Sequence, residues 1–164
     1  MGLFGSDDSV DEGDIACDPQ GDYVTAARVG KVQDVLDDGE NVHYITRGST
    51  VDVQEGGDNS SLFGDDRSRK SGTRGWVRAA FTDKRVVVKI PQMLGNDERS
   101  IPYQNISSVD LDTGLVKKRV TLQTVGATYH IEADNPGKDE VRDALRFVRQ
   151  KIGESNGGGG TEDS

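Results

Sequence analysis

The sequence predicts an all-β fold class, β-rich with flanking helices: a small antiparallel barrel or sandwich with a short helix before it and an amphipathic helix after it. Three observations predict this. Between Glu40 and Ala133, outside the polar tract 54–73, runs of apolar residues recur at every second position. Turn-forming residues separate these runs and no helical stretch lies between them, which argues against a parallel α/β layout and its phosphate-binding crossover motifs. One apolar stripe of helical period follows the strands, and such a stripe must be buried.

The elements follow in order. Tyr23 to Leu36 reads as a short helix, with Val24, Ala27, Val32 and Val35 or Leu36 at helical spacing and Asp37-Asp38-Gly39 ending it. Gly30 weakens that helix by about 1 kcal/mol relative to Ala. Val42 and Tyr44 then alternate with His43, and Val51-Asp52-Val53 follows Gly48. The polar tract 54–73 is too long and too hydrophilic to cross a core and reads as a flexible surface insertion. The clearest hairpin comes next: Val77, Ala79 and Phe81 on one face, Trp76, Arg78 and Thr82 on the other, a turn at Asp83-Lys84, and a return through Val86, Val88 and Ile90. Pro91 and Gly95-Asn96-Asp97 end that strand. A short edge piece at 99–102 leads through Tyr103-Gln104-Asn105 into strands at 106–113, 115–125 and 127–133. The closing helix has Asn135 as its cap and Pro136 in its first turn, with Asp139 and Glu140 at its positive end. Val141, Ala144, Leu145, Val148 and Ile152 form its stripe, Arg146, Arg149 and Lys151 suit its negative end, and Gly153 stops it.

Composition bounds the function. Of 164 residues 32% are hydrophobic, enough for one domain core and too few for a two-domain enzyme. No run of about 18 apolar residues could cross a membrane, and the start of the chain lacks the pattern of a secretory signal. The formal net charge of −9 sits at the ends. Residues 1–22 carry seven acids and no Lys or Arg, and the stretch after Ile152 adds three more acids, which leaves 23–152 at +1. The domain plan is therefore an acidic disordered tail (1–21), a folded domain (22–152) and a Gly-rich disordered tail (153–164). Asp outnumbers Glu 21 to 8 and Arg outnumbers Lys 12 to 8, which suits a salt-loaded prokaryotic cytoplasm. The plainer alternative is a mesophilic protein with acidic tails. Cys17, the one cysteine, permits no internal disulfide and no Cys-rich metal site. The opening Met1-Gly2-Leu3-Phe4-Gly5-Ser6 matches an N-myristoylation pattern, at odds with a composition that looks prokaryotic.

Two motifs carry a resemblance. Gly75 followed by Phe81-Thr82-Asp83-Lys84-Arg85-Val86, then Ile101-Pro102-Tyr103 and Ile106-Ser107-Ser108-Val109, resembles the prokaryotic pleckstrin-homology-like (PH-like) domains, nearest to the YokE-like bacterial PH domains. The resemblance covers about 40–152. It implies a partly open barrel of about seven strands plugged by the C-terminal helix, in a family that is non-enzymatic where anything is known. The motif residues also have folding reasons of their own. Asp83-Lys84 suits a two-residue turn, Arg85 is expected to keep its outer face solvated, and Pro102 can end pairing at a sheet edge.

Candidate chemistry is sparse. His43 and His130 read as exposed imidazoles on polar strand faces, with no further ligands converging to make a metal site. Ser60, Ser61, Ser107 and Ser108 lie in no nucleophile turn. Asp110 and Asp112 share a strand face but read as solvated rather than as an acid–base pair. Lys117-Lys118-Arg119 lacks the interleaved aromatics that nucleic-acid binding wants. The sharpest cluster is Arg67, Arg69, Lys70 and Arg74, four cations in eight positions. In lipid-binding PH domains the corresponding loop commonly holds a phosphoinositide headgroup, so the resemblance implies an anion or lipid site there. The competing reading is a loop whose cations are partly balanced by Asp65 and Asp66. High salt would shorten the Debye length to about 3 Å and weaken such steering.

The expectation is a non-enzymatic binding module of the cytoplasm with no cofactor and no metal. Its partner is another protein met through an exposed strand edge or the loops. The alternative is a peripheral position on an anionic membrane surface through Arg67, Arg69, Lys70 and Arg74, with an uncharacterised enzyme as a third class.

Overall fold

The computed structural model describes residues 18–55, 66–72, 75–114 and 117–161. After a five-residue helix, α1 (Ala26–Gly30), and a 3-10 turn (Gln33–Val35), nine strands follow among the described residues. They are β1 (Val42–Gly48), β2 (Thr50–Glu55), β3 (Asp66–Ser71), β4 (Val77–Thr82), β5 (Arg85–Gln92), β6 (Gly95–Pro102), β7 (Ile106–Thr113), β8 (Lys118–Thr124) and β9 (Ala127–Glu132). A 3-10 turn (Tyr103–Asn105) precedes β7, and α2 (Lys138–Thr161) closes the chain. All pairings are antiparallel, in a four-stranded sheet ordered β1-β4-β5-β6 and a five-stranded sheet ordered β3-β2-β9-β8-β7. The β-rich, helix-closed plan is the one the alternation predicts.

One continuous run of chain joins the two sheets. β1 pairs with β4, and after Ser49 the same run becomes β2, pairing with β9 and β3. Gly48 makes the switch possible: a Cβ there would land on the Glu132 carbonyl, so β1 and β9 can approach this closely only at a glycine. The second of the two strands beyond the expected seven is β3, which the polar tract 54–73 supplies. Residues 66–71 pair residue for residue with 50–55, because β2 offers a free ladder on the side away from β9. The other is β6, which starts four residues before the expected edge piece, since Gln92 and Gly95 already pair across Met93-Leu94. Gly95 has φ +89, which a glycine tolerates and which closes this turn rather than ending the strand.

The main core lies between the sheets and under α2. Val51, Val53, Phe81, Val86, Val88, Ile90, Leu122 and Ile131 are buried there with Val141, Ala144, Leu145 and Val148 from α2. Phe147 joins them from the flank of the helix, touching Tyr44 and Tyr103 ring to ring at 5.7 and 6.1 Å. A second cluster sits on the opposite face of the four-stranded sheet. Val24, Val29, Val32 and Val35 cover Val42, Ile45, Ala80 and Val87, so the hairpin β4–β5 is buried on both sides and Thr82 is not on a solvated face. Lys89 and Asn96 fasten this layer by bonding the Asp34 carboxylate at 2.7 and 2.8 Å.

Three expectations about helix ends need correction. The predicted helix 23–36 breaks after Gly30 into α1 and a separate 3-10 turn, since tertiary packing of the valines, not helix propensity, sets this segment. Asn135 does not cap α2; its backbone bridges to Arg47 (2.9 and 3.0 Å), and the helix begins three residues later. Gly153 does not stop α2, which runs on to Thr161. Glycine costs a helix about 1 kcal/mol relative to Ala without forbidding it, and the packed turns Val141–Ile152 have already nucleated this one.

Candidate functional site

The motif residues come together as a buried polar joint. Glu40, 1% exposed, accepts hydrogen bonds from Arg85 Nε and Nη2 (both 2.9 Å), Thr82 Oγ1 (2.7 Å) and the Asp37 N–H (2.9 Å). Burial alone would raise the Glu40 pKa, but the bonds from Arg85, Thr82 and Asp37 outweigh it and bring it from 4.5 down to about 2. Arg85 is therefore not a solvated outer residue. Its remaining donors reach Ser100 Oγ (2.8 Å) and the Val35 carbonyl (3.3 Å), since a guanidinium fork matches a carboxylate that the N-terminal layer has closed off from water. Tyr103 of the second motif donates to the Thr82 carbonyl at 2.6 Å, and burial pushes its phenol pKa up. The whole joint is saturated and offers a ligand nothing.

The predicted cation cluster is spread along an edge. Arg67, Arg69 and Lys70 are residues of β3, opposite Gln54, Asp52 and Val51 of β2. Arg74 lies outside the described residues, as do Ser60, Ser61 and Cys17. Lys70 is already paired with Asp97 of β6 at 3.2 Å, which ties the edge of one sheet to the edge of the other. Gln92 bonds the Ser71 carbonyl (3.1 Å), and Gly72 lies against Pro91. The basic tract thus runs beside the β5–β6 turn, whose Met93 and Leu94 are 70% and 97% exposed. Trp76, also exposed, stacks under Arg47, whose guanidinium carbon lies 4.6 Å from the ring centroid.

The histidines depart from expectation. His43 is buried because β1 carries a bulge between Val42 and Tyr44, which breaks the alternation and turns the ring onto Phe147 (centroids 5.0 Å apart). Its Nδ1 donates to the Asp18 carbonyl at 2.8 Å. His130 is half-buried, with Thr121 Oγ1 3.0 Å from its Nδ1. Asp110 and Asp112 are exposed, and Ser107 and Ser108 bond Gln123. Lys117 holds Glu132 and Ser49, and Lys118 bonds the Asp134 carbonyl. Among the described residues no group of three or more His, Cys, Asp or Glu side chains could hold a metal ion, and no helix is long and apolar enough to cross a membrane.

A site that the sequence reading passed over lies between α2 and β7. A cleft of about 280 Å³ is lined by Asp110, Leu111, Arg142, Leu145, Arg146 and Arg149. It adjoins an outer strand edge, because among the described residues β7 pairs with β8 alone. The Gly114 N–H bonds the Lys117 carbonyl, which continues the pattern in which even-numbered residues face β8. Arg149 donates to the Val109 carbonyl at 3.1 Å, from the opposite side. Val109 and Leu111 therefore turn their backbone groups toward the cleft. The sequence signal was the spacing of arginines 142, 146 and 149, one flank of a helix. Read alone, Arg146 and Arg149 only suit the negative helix end, and Arg142 carries no signal of its own.

Comparison with known proteins agrees with this architecture. The model of the bacterial PH domain family matches residues 36–150, from the polar joint through nearly all of the apolar stripe of α2. No curated protein and no solved structure matches the chain.

Proposed function

Since the chain belongs to the bacterial PH domain family, whose members are in general binding modules, we propose that it is a non-enzymatic binding module whose ligand is another protein, taken up by strand addition at the edge of β7. The observation that carries this reading is the outer edge of β7 at Val109 and Leu111, which no strand covers among the described residues and which takes one side-chain bond, from Arg149 to the Val109 carbonyl, beside a cleft. An added strand gains main-chain hydrogen bonds from such an edge and specificity from the pocket next to it. The test is panning of a displayed random-peptide library against the full chain, followed by Leu111→Pro. Proline at that position removes an N–H that the register turns away from β8, and Leu111→Ala controls for the side chain, which packs against the core and lines the cleft. Enriched peptides that lose binding to the proline variant support the reading; peptides that bind it and the wild type alike, or no enrichment at all, refute it.

A second reading places anionic lipid headgroups at Arg67, Arg69, Lys70 and Arg74. It is favoured by the exposed Met93-Leu94 turn beside that tract, an apolar tip with cations next to it. Sedimentation with phosphatidylserine-containing and pure phosphatidylcholine vesicles over a salt series decides it. Protein that stays in the supernatant with the anionic vesicles at low salt eliminates the lipid reading.

A further inference from the structure

We propose that the strand taken up at β7 is acidic, with carboxylates at alternate positions that are held by Arg142, Arg146 and Arg149. This rests on the reading of the β7 edge as the ligand site and adds the chemistry of the ligand. Of the six residues lining the cleft three are arginines, against one carboxylate, Asp110. Three guanidiniums thus line the cleft beside the outer edge of β7, two of them paired with the helix's own Asp139 and Asp143.

The arginines are available. Arg142 lies 4.0 Å from Asp139, whose side chain is 97% exposed, and Arg146 pairs with Asp143, both groups being half or more exposed. Solvated pairs of this kind hold weakly, so an incoming carboxylate can displace them. Arg149 spends one donor on the Val109 carbonyl, out of the five a guanidinium carries. The spacing selects the ligand's pattern. Arg142 and Arg146 are about 6 Å apart along the helix at about 1.5 Å per residue. Side chains two apart in an extended strand are about 7 Å apart and point the same way. Two carboxylates separated by one residue therefore meet two guanidinium forks one helical turn apart, and each fork can bind its carboxylate through two parallel hydrogen bonds. Neutral amides of the same shape would fill the cleft without displacing Asp139 and Asp143 from Arg142 and Arg146.

The test uses the full chain and two fluorescein-labelled octapeptides that differ only in having Glu or Gln at three alternate positions. Fluorescence anisotropy is read in 50 mM and 500 mM NaCl. The Glu peptide is expected to bind at least tenfold more tightly than the Gln peptide at low salt, and to lose most of that advantage at high salt. It should also lose it in Arg142→Gln/Arg146→Gln, whose exposed side chains leave the core untouched. Equal affinity for the two peptides overturns the acidic ligand and leaves strand addition standing. Failure of both peptides to bind, with no enrichment in the library experiment, overturns both.

Discussion

Replacing Glu40 by Gln removes the charge from the buried joint and changes little in shape. The carboxylate accepts four hydrogen bonds, two of them from a guanidinium whose side chain is only 15% exposed. The amide presents an NH2 group to some of those donors and leaves Arg85 without its buried counter-charge. A carboxyl that titrates at about 2 in the fold and at 4.5 in the open chain contributes about 3 kcal/mol at neutral pH, at about 1.4 kcal/mol per pH unit. Breaking a buried ion pair by removing one partner costs about 3–5 kcal/mol, so the two routes agree near 3. The folded-state pKa is depressed, so this stability is fully present above pH 4.5 and is lost as pH falls through about 2. Urea unfolding of the wild type and of Glu40→Gln from pH 7 to pH 3 measures it. The gap should be about 3 kcal/mol at pH 7 and steady down to about pH 5.5, then narrow to roughly half by pH 3 as the wild type alone weakens. A gap below about 1 kcal/mol at pH 7, or one that does not change with pH, would refute the argument that the ionised carboxylate holds the joint.

Gly48→Ala should cost on the order of 2 kcal/mol or more in thermal or urea unfolding, because its methyl meets the Glu132 carbonyl, which β9 pairing holds in place; an unchanged midpoint would mean the sheet crossing is looser than described. Tyr103→Phe deletes the 2.6 Å bond to the Thr82 carbonyl and should cost about 1–2 kcal/mol without altering peptide affinity at β7. A loss of peptide binding in that variant would show the two regions to be coupled.

The strands were legible in the sequence where one local rule governed them. From Val77 to Ile90 the period of two and a two-residue turn fix the hairpin, and its register, Phe81 opposite Val86, follows from the turn alone. The stripe of α2 was legible for the same reason, though Phe147 was missed because it packs from the helix flank. What stayed hidden depends on distant chain. Nothing near Arg85 announces that Glu40, 45 positions earlier, will be sealed against it by the valines of the N-terminal layer. His43 was misread because a bulge leaves no mark in a period-two pattern. The spacing of Arg142, Arg146 and Arg149 was plain, but its meaning required knowing that β7 ends a sheet and lies under that flank of α2.

The motif residues that carry the sequence resemblance are thus the wrong place to look for what this chain binds. Thr82, Arg85 and Tyr103 spend their polar groups on Glu40 and on backbone carbonyls within the fold. They fix the corner where the β4–β5 turn, the N-terminal layer and the start of β7 meet. A chain could keep every one of them and change its ligand entirely. Ligand choice has to reside in side chains that the joint does not use, and those gather at two places, the arginine flank of α2 beside the β7 edge and the Met93-Leu94 turn beside β3. The two make opposite demands on a partner, since the first offers main-chain hydrogen bonds with directional guanidinium forks and the second an apolar tip. An extended peptide satisfies the first and a lipid surface the second. Substitutions confined to Arg142 and Arg146, or to Met93 and Leu94, therefore test the two proposed kinds of binding separately, since all four side chains lie outside the core.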